Sequence, residues 1–216
     1  MSGEMWWYLS RASGIIAWLM LTATVLWGIA SSVDLFPRRR RVAWLVDLHR
    51  WLGALTAAFV ALHLVALVAD SYVHFGLTDL FVPFASDWKP LPVALGVVAL
   101  WGLVAVQATS LAMRRLRRRT WHAIHVAGYA VFVLGSLHGI TAGTDATQPM
   151  YAATTAASML AVGWASIRRI RGLEQRRRTR QERAGVSAAA RPGAPVDEPA
   201  TRPAQRTPVP SRSPGT

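Results

Sequence analysis

The chain has 216 residues, of which 52% are apolar, and it carries a formal net charge of +13. It contains no cysteine, which excludes disulfides, iron–sulfur clusters and thiolate catalysis. The positive charge is gathered in arginine clusters beside apolar runs, which is the pattern of a membrane protein and argues against nucleic acid as a partner.

Apolar runs of about 20 residues are long enough to cross roughly 30 Å of hydrocarbon. Five such runs occur in this chain, at about 12–33, 46–69, 91–113, 121–142 and 150–167. They predict an all-α fold, a polytopic transmembrane helix bundle with five spans. We expect one domain over residues 1–170, with the lipid bilayer as its surroundings.

The arginine clusters at 38–41, 114–119 and 168–183 set the expected orientation. Cytoplasmic loops carry an excess of arginine and lysine, so the N-terminus is predicted outside and the C-terminus inside. A cleaved signal peptide is the alternative interpretation of the first run, because Ala30-Ser31-Ser32 is small. A signal peptide carries its charge before the apolar region, however, and here most of the charge follows it.

Two segments are too polar to span. Residues 71–92 combine aromatic side chains with charges and prolines, and we expect an outer-surface loop or interfacial helix that caps the bundle. Residues 171–216 begin with a basic stretch, which suits a short helix on anionic lipid. The stretch is followed by a segment rich in proline, alanine and arginine that we predict to be a disordered cytoplasmic tail.

Four histidines lie within two of the predicted spans, where ionisable residues are costly and mark function. His49 and His63 are 14 residues apart, which on a helix gives about 21 Å of rise and only about 40° of rotation. His125 and His138 are 13 apart, which leaves about 140° on an ideal helix. A local distortion is required there, and Gly128 or Gly135 would permit one.

The depths of the four histidines match in pairs. His49 and His125 each follow an arginine cluster closely, and we call them the inner pair. His63 and His138 each lie seven residues before an aspartate, and we call them the outer pair. Each pair is expected to supply two axial nitrogens to the iron of one b-type haem, a closed coordination that suits electron transfer.

Neighbouring residues fit the same hypothesis. Gly53, one turn after His49, would let the macrocycle approach the backbone. Arg50 and the 114–119 cluster are candidates to pair with haem propionates. His122 and His74 are interpreted as interfacial and surface residues rather than ligands. A single buried histidine usually only hydrogen-bonds a neighbour, so the prediction rests on the paired arrangement.

The run Leu48–Gly53 with His63, and the run Trp121–Tyr129 with His138, resemble the ferric reductase-like transmembrane domain family. That family includes the membrane cores of ferric reductases and NADPH oxidases, and the haem-binding subunit of the bacterial methionine sulfoxide reductase system. The resemblance covers roughly residues 5–170 and implies that the 13-residue spacing is tolerated. Many members have six spans. The oxidases and reductases of the family also carry a flavin and nicotinamide module after the last span, and this sequence shows no glycine-rich dinucleotide fingerprint of such a module.

The resulting hypothesis is a bis-haem electron-transfer protein of the bacterial plasma membrane. A cytoplasmic flavoprotein or quinol would donate electrons, and FAD or FMN would enter only through a partner. The extracytoplasmic acceptor would be ferric iron or a flavin- or molybdenum-containing protein. Two alternatives stay open at this stage. One is a self-contained ferric-chelate reductase, and the other is a haem-free membrane scaffold whose histidines pack or bind a metal.

Overall fold

The computed structural model describes residues 3–32, 43–70, 75–144 and 147–189, and its regular structure in these ranges is helical. Helices follow one another in the order α1 (Gly3–Ser32), α2 (Ala43–Ala69), α3 (Leu77–Phe81), α4 (Pro90–Leu111), α5 (Arg118–Val126), α6 (Gly128–Ala142) and α7 (Pro149–Ala189). The predicted all-α class is therefore confirmed.

Within the described ranges, four helical stretches are long and apolar enough to cross a membrane: Glu4–Ser32, Trp44–Ala69, Pro90–Leu111 and Arg118–Ala142. They coincide with the first four predicted spans, and the chain is a multi-pass membrane protein. The fifth predicted run forms the first part of α7 and is not among these four stretches. Several threonines and serines dilute its apolar residues, and its passage across the membrane stays a prediction.

Two helix boundaries differ from those expected. The first helix begins at Gly3, before the predicted run, because Glu4 favours a helix N-terminus and no breaker separates it from the apolar residues. The last helix continues to Ala189, since arginine, glutamine, glutamate and alanine are strong helix formers. Helix thus covers the first part of the predicted disordered tail, and residues 190–216 lie outside the described part.

Residues up to Gly172 form one compact unit, and the residues from Leu173 belong to a second. In the first unit, α1 packs along α2, and α4 packs along α5 and α6. Smaller contacts of α1 with α6 and of α2 with α4 close these two hairpins into a bundle. The helices α2 and α6, which carry the outer pair, pack against each other much less than the helices within either hairpin do.

Apolar and polar contacts hold the bundle together. Ile29, Phe132 and Val162 form a buried cluster that joins α1, α6 and α7. The indole Nε1 of Trp18 on α1 donates a hydrogen bond of 2.9 Å to the hydroxyl of Ser136 on α6. Such interhelical hydrogen bonds satisfy polar groups where no water is available.

The segment between α2 and α4 contains the short helix α3 and a run of turns. This agrees with the expected loop or interfacial helix. Lys89, in the left-handed region with a φ of 44°, ends this segment. Its ammonium group lies 3.3 Å from the carbonyl of Thr141 and 3.4 Å from that of Ala142, at the end of α6. These last carbonyls lack intrahelical donors, so Lys89 stabilises the helix end.

Some predicted features fall outside the described residues. These are the arginine cluster at 38–41, His74 and Asp145. The cluster at 114–119 is described: it forms the turn between α4 and α5 and the first residues of α5, and its arginines are exposed.

Trp27 joins the α1–α2 hairpin, because its Nε1 donates a hydrogen bond of 2.8 Å to the carbonyl of Leu45. We expect Trp27→Phe to lower the free energy of unfolding by about 0.5–1 kcal/mol, the usual value of an interhelical hydrogen bond in a membrane protein. Unfolding in detergent micelles, followed by circular dichroism, measures this change. Trp164→Phe is the control, since Trp164 is 63% exposed. Equal losses in both variants would contradict the prediction.

Candidate functional site

The inner pair of histidines is in contact. The ring centroids of His49 and His125 are 5.8 Å apart, with their planes at 67°. Two imidazoles that bind one metal ion from opposite sides, through bonds of about 2 Å, have centroids about 6 Å apart. The spacing of this pair therefore fits a shared metal centre.

The outer pair lines a cavity of about 320 Å³ inside the bundle. His63 and His138 both contribute to its wall, together with Gly14, Trp18 and Gly96. This volume lies in the range of pockets that bind small organic molecules, and most of the lining is apolar. A planar cofactor between α2 and α6 would use the space that these two helices leave between them.

The protonation pattern of the outer pair follows from its hydrogen bonds. Nδ1 of His63 lies 2.6 Å from the carbonyl oxygen of Ser10, and Nδ1 of His138 lies 2.8 Å from that of Pro92. A carbonyl oxygen only accepts, so each Nδ1 must carry the hydrogen and donate it. Nε2 of each ring then keeps its lone pair, which is the form of histidine that ligates a metal.

The inner pair is less completely partnered. His49 lies beside the backbone of Thr24, and its buried Nδ1 has no hydrogen bond among the described residues. Nδ1 of His125 lies 3.4 Å from the hydroxyl of Ser110. The Trp121 ring stacks on His125 at 5.0 Å and 21°, and its Nε1 has no hydrogen-bond partner in the described part of the chain. Buried polar atoms without partners are rare, and both of these belong to the rings of the inner pair or to the indole stacked on it.

The helix is interrupted between His125 and His138, where the 13-residue spacing predicted a distortion. The helix α5 ends at Val126, Ala127 joins it to α6 with φ −61° and ψ −13°, and α6 begins at Gly128. The expected local distortion is therefore present at Gly128, one of the two glycines proposed for it. On the two sides of this break, His125 contacts His49, and His138 lines the same cavity as His63.

Three glycines touch the histidine rings, and the sequence pattern alone did not single them out. A Cβ added at Gly14 would lie 3.1 Å from His63, and one added at Gly96 would lie 2.8 Å from His138. A Cβ at Gly28 would lie 3.2 Å from His49. A signal for the two residues on α1 was available, because Gly14 and Gly28 have the same spacing as the histidines on α2.

Gly53 and Arg50 are the other predicted site residues. The amide of Gln107 on α4 donates to the carbonyl of Gly53 and occupies the space beside that glycine. Arg50 is exposed. Two arginines that were not predicted also lie near the histidine pairs. Arg11 lines the outer cavity. Arg169 donates a hydrogen bond of 2.8 Å to the hydroxyl of Tyr129, which lies one turn after His125.

A family model described as ferric reductase like transmembrane component matches residues 13–136, more than half of the chain. The chain belongs to this family. The match includes three of the four histidines and ends two residues before His138. This chain is therefore a transmembrane component of the ferric reductase-like type.

The chain is also similar to a curated protein named protein-methionine-sulfoxide reductase heme-binding subunit MsrQ, from Rhodospirillum rubrum. The two are 33% identical over 147 residues, which cover 65% of this chain and 61% of the relative. The similarity thus spans less than two thirds of that protein. No solved structure matches the chain significantly.

The indole Nε1 of Trp121, which has no hydrogen-bond partner among the described residues, leads to a prediction for the haem-free protein. Trp121→Phe keeps an aromatic ring on His125 and removes the buried N–H, so its free energy of unfolding should stay equal or rise by up to about 1 kcal/mol. Trp121→Ala removes the ring and should cost about 2–3 kcal/mol. Chemical unfolding in micelles measures both. A loss of more than about 1 kcal/mol in Trp121→Phe would show that Nε1 has a partner.

Proposed function

We propose that this protein carries electrons across a bacterial plasma membrane through two b-type haems. The inner pair, His49 and His125, would hold one haem, and the outer pair, His63 and His138, would hold the other. Bound in this way, haem supplies a one-electron redox centre whose two axial positions are both taken by protein. Such a site favours electron transfer over binding of oxygen or substrate at the iron.

One observation carries the proposal: two histidine pairs stand at two depths of one bundle, about 21 Å apart along α2. The wall of the outer cavity is mostly apolar, and the carbonyl-bound Nδ1 atoms favour the ligating tautomer. Family membership and the similarity to a protein named as a heme-binding subunit support haem as the group held by these rings.

The anchors of the haem propionates are proposed from proximity. Arg11 at the outer cavity and Arg169 beside Tyr129 are the arginines nearest to the two pairs in the described contacts. Arg50 and the arginines of 114–119, which the sequence suggested, are exposed and stay candidates to pair with propionates.

The electron donor and acceptor would be separate molecules. A cytoplasmic flavoprotein or quinol would reduce the inner haem, so that any FAD or FMN belongs to the partner. For the acceptor we favour a partner subunit that reduces methionine sulfoxide in proteins, because the curated relative is named as a subunit of such a reductase. A flavin- or molybdenum-containing protein of that kind would dock at the outer face. The chain is then an oxidoreductase component rather than a complete enzyme.

Haem counting tests the assignment. The purified protein should contain two b-type haems per chain by reduced-minus-oxidised spectra and pyridine haemochrome analysis. His63→Ala and His138→Ala should each lose the same haem, and His49→Ala and His125→Ala the other, because one imidazole cannot close the coordination. His122→Ala is the matched control, since His122 is exposed on the same helix as His125. Two haems retained in all four ligand variants would refute the proposal.

The self-contained ferric-chelate reductase differs in one measurable respect. Purified protein in liposomes, with a reductant sealed inside, should reduce an external ferric chelate rapidly if no partner is required. We expect slow reduction of the chelate, and faster oxidation of the haems when the partner reductase and methionine sulfoxide are added outside.

The haem-free scaffold predicts a colourless protein under haem-replete expression. Within the part of the chain that the structure describes, no group of three or more histidines and carboxylates is arranged to hold a metal ion. This finding favours a haem, which brings four ligands of its own, over a bare metal ion.

A further inference from the structure

The glycine contacts repeat with the period of the histidines. On α1, Gly14 touches His63 and Gly28 touches His49, so two glycines meet two histidines of equal separation in reverse order. This is the arrangement of antiparallel helices in register. On α4, Gly96 touches His138, and Ser110, at the same separation from Gly96, lies beside His125.

Each glycine also stands four residues after a residue whose backbone the histidine ring approaches. The carbonyl that accepts from His63 belongs to Ser10, four residues before Gly14. The carbonyl that accepts from His138 belongs to Pro92, four residues before Gly96. The backbone beside His49 belongs to Thr24, four residues before Gly28.

Helix geometry explains the four-residue offset. A helical side chain leans toward the N-terminus and covers the turn before its own Cα. A residue with no side chain therefore uncovers the carbonyl one turn earlier, which an imidazole on the neighbouring helix can then reach. Glycine is unfavourable in a helix interior, so its use at these positions requires a compensating contact.

We propose that Gly14, Gly28, Gly96 and Ser110 are positioning residues that orient the four haem-ligating histidines and set the donor strength of their rings. At the three glycines the ring approaches the backbone one turn earlier. At the fourth position the hydroxyl of Ser110 takes the place of that backbone, at 3.4 Å from Nδ1 of His125. The inference rests on the proposed haem ligation and adds residues on α1 and α4, which carry no ligands.

A hydrogen bond from Nδ1 to oxygen fixes the ring orientation and makes the imidazole a stronger electron donor. A stronger donor stabilises ferric iron over ferrous iron, so loss of the bond should raise the reduction potential of that haem. The effect should be confined to the haem whose ligand is disturbed. A residue that only supports helix packing would have no reason to act on one haem alone.

The test uses full-length protein with both haems bound. In Gly96→Ala the new Cβ would lie 2.8 Å from the His138 ring, so the ring must move and its bond to Pro92 must lengthen. We expect an altered low-spin EPR signal and a higher potential, or loss of haem, only at the haem that His63→Ala also removes. Gly14→Ala should act on the same haem more weakly. Gly28→Ala should alter the EPR signal of the other haem, because its Cβ would lie 3.2 Å from the His49 ring.

Gly163→Ala is the matched control, because a Cβ at this glycine of α7 meets no atom within 4 Å. It should leave both haems unchanged. Unchanged EPR signals and potentials in Gly96→Ala and Gly14→Ala would overturn the inference, as would equal changes at both haems.

Ser110 provides a second series that does not crowd the bundle. Ser110→Ala should change the EPR signal and raise the potential of the inner haem alone, and Ser110→Thr, which keeps a hydroxyl, should restore both. If the glycine variants fail to fold, this series decides the matter: equal spectra and potentials in wild type, alanine and threonine variants would overturn the inference. A wild-type protein without haem would instead refute the proposed function, so the two failures are distinguishable.

Discussion

The structure depends on how an imidazole satisfies its second nitrogen where there is no water. A ring that offers Nε2 to a metal must place an N–H at Nδ1, and in hydrocarbon that donor requires an acceptor from protein. Helix carbonyls are the most abundant acceptors, but the side chain one turn later normally covers them. Gly14 and Gly96 remove that cover at the outer pair. The placement of α1 against α2, and of α4 against α6, follows from this constraint.

The same constraint explains why the second hairpin is built differently from the first. The two α2 histidines share one face of a straight helix and need no change of helix phase. His125 and His138 are one residue closer, and the helix between them is interrupted at Ala127 and Gly128. The second hairpin thus combines a shorter histidine spacing with an interrupted helix, and the first combines a longer spacing with an uninterrupted one.

The sequence was sufficient to predict the apolar helices, to single out four histidines within them and to show that a distortion is needed between His125 and His138. Each of these follows from residues along one helix. The roles of Gly14, Gly96 and Arg169 depend on a neighbouring helix, and 16 glycines in the chain make any single one uninformative. The start of α1 and the length of α7 were missed because an apolar run marks the part of a helix that crosses lipid, whereas propensity carries the helix further into polar residues.

The two histidine pairs have the same side chains and unequal surroundings. At the outer pair both Nδ1 atoms meet carbonyls, and the cavity wall is mostly apolar. At the inner pair His49 lacks such a bond among the described residues, and His125 has a distant hydroxyl and a stacked indole. Arg169 donates to Tyr129, one turn after His125. Hydrogen bonds to the ligating rings and nearby charge tune a bound metal. The difference between two redox centres with the same ligands would therefore originate on α1, α4 and α7, which contribute no ligand themselves.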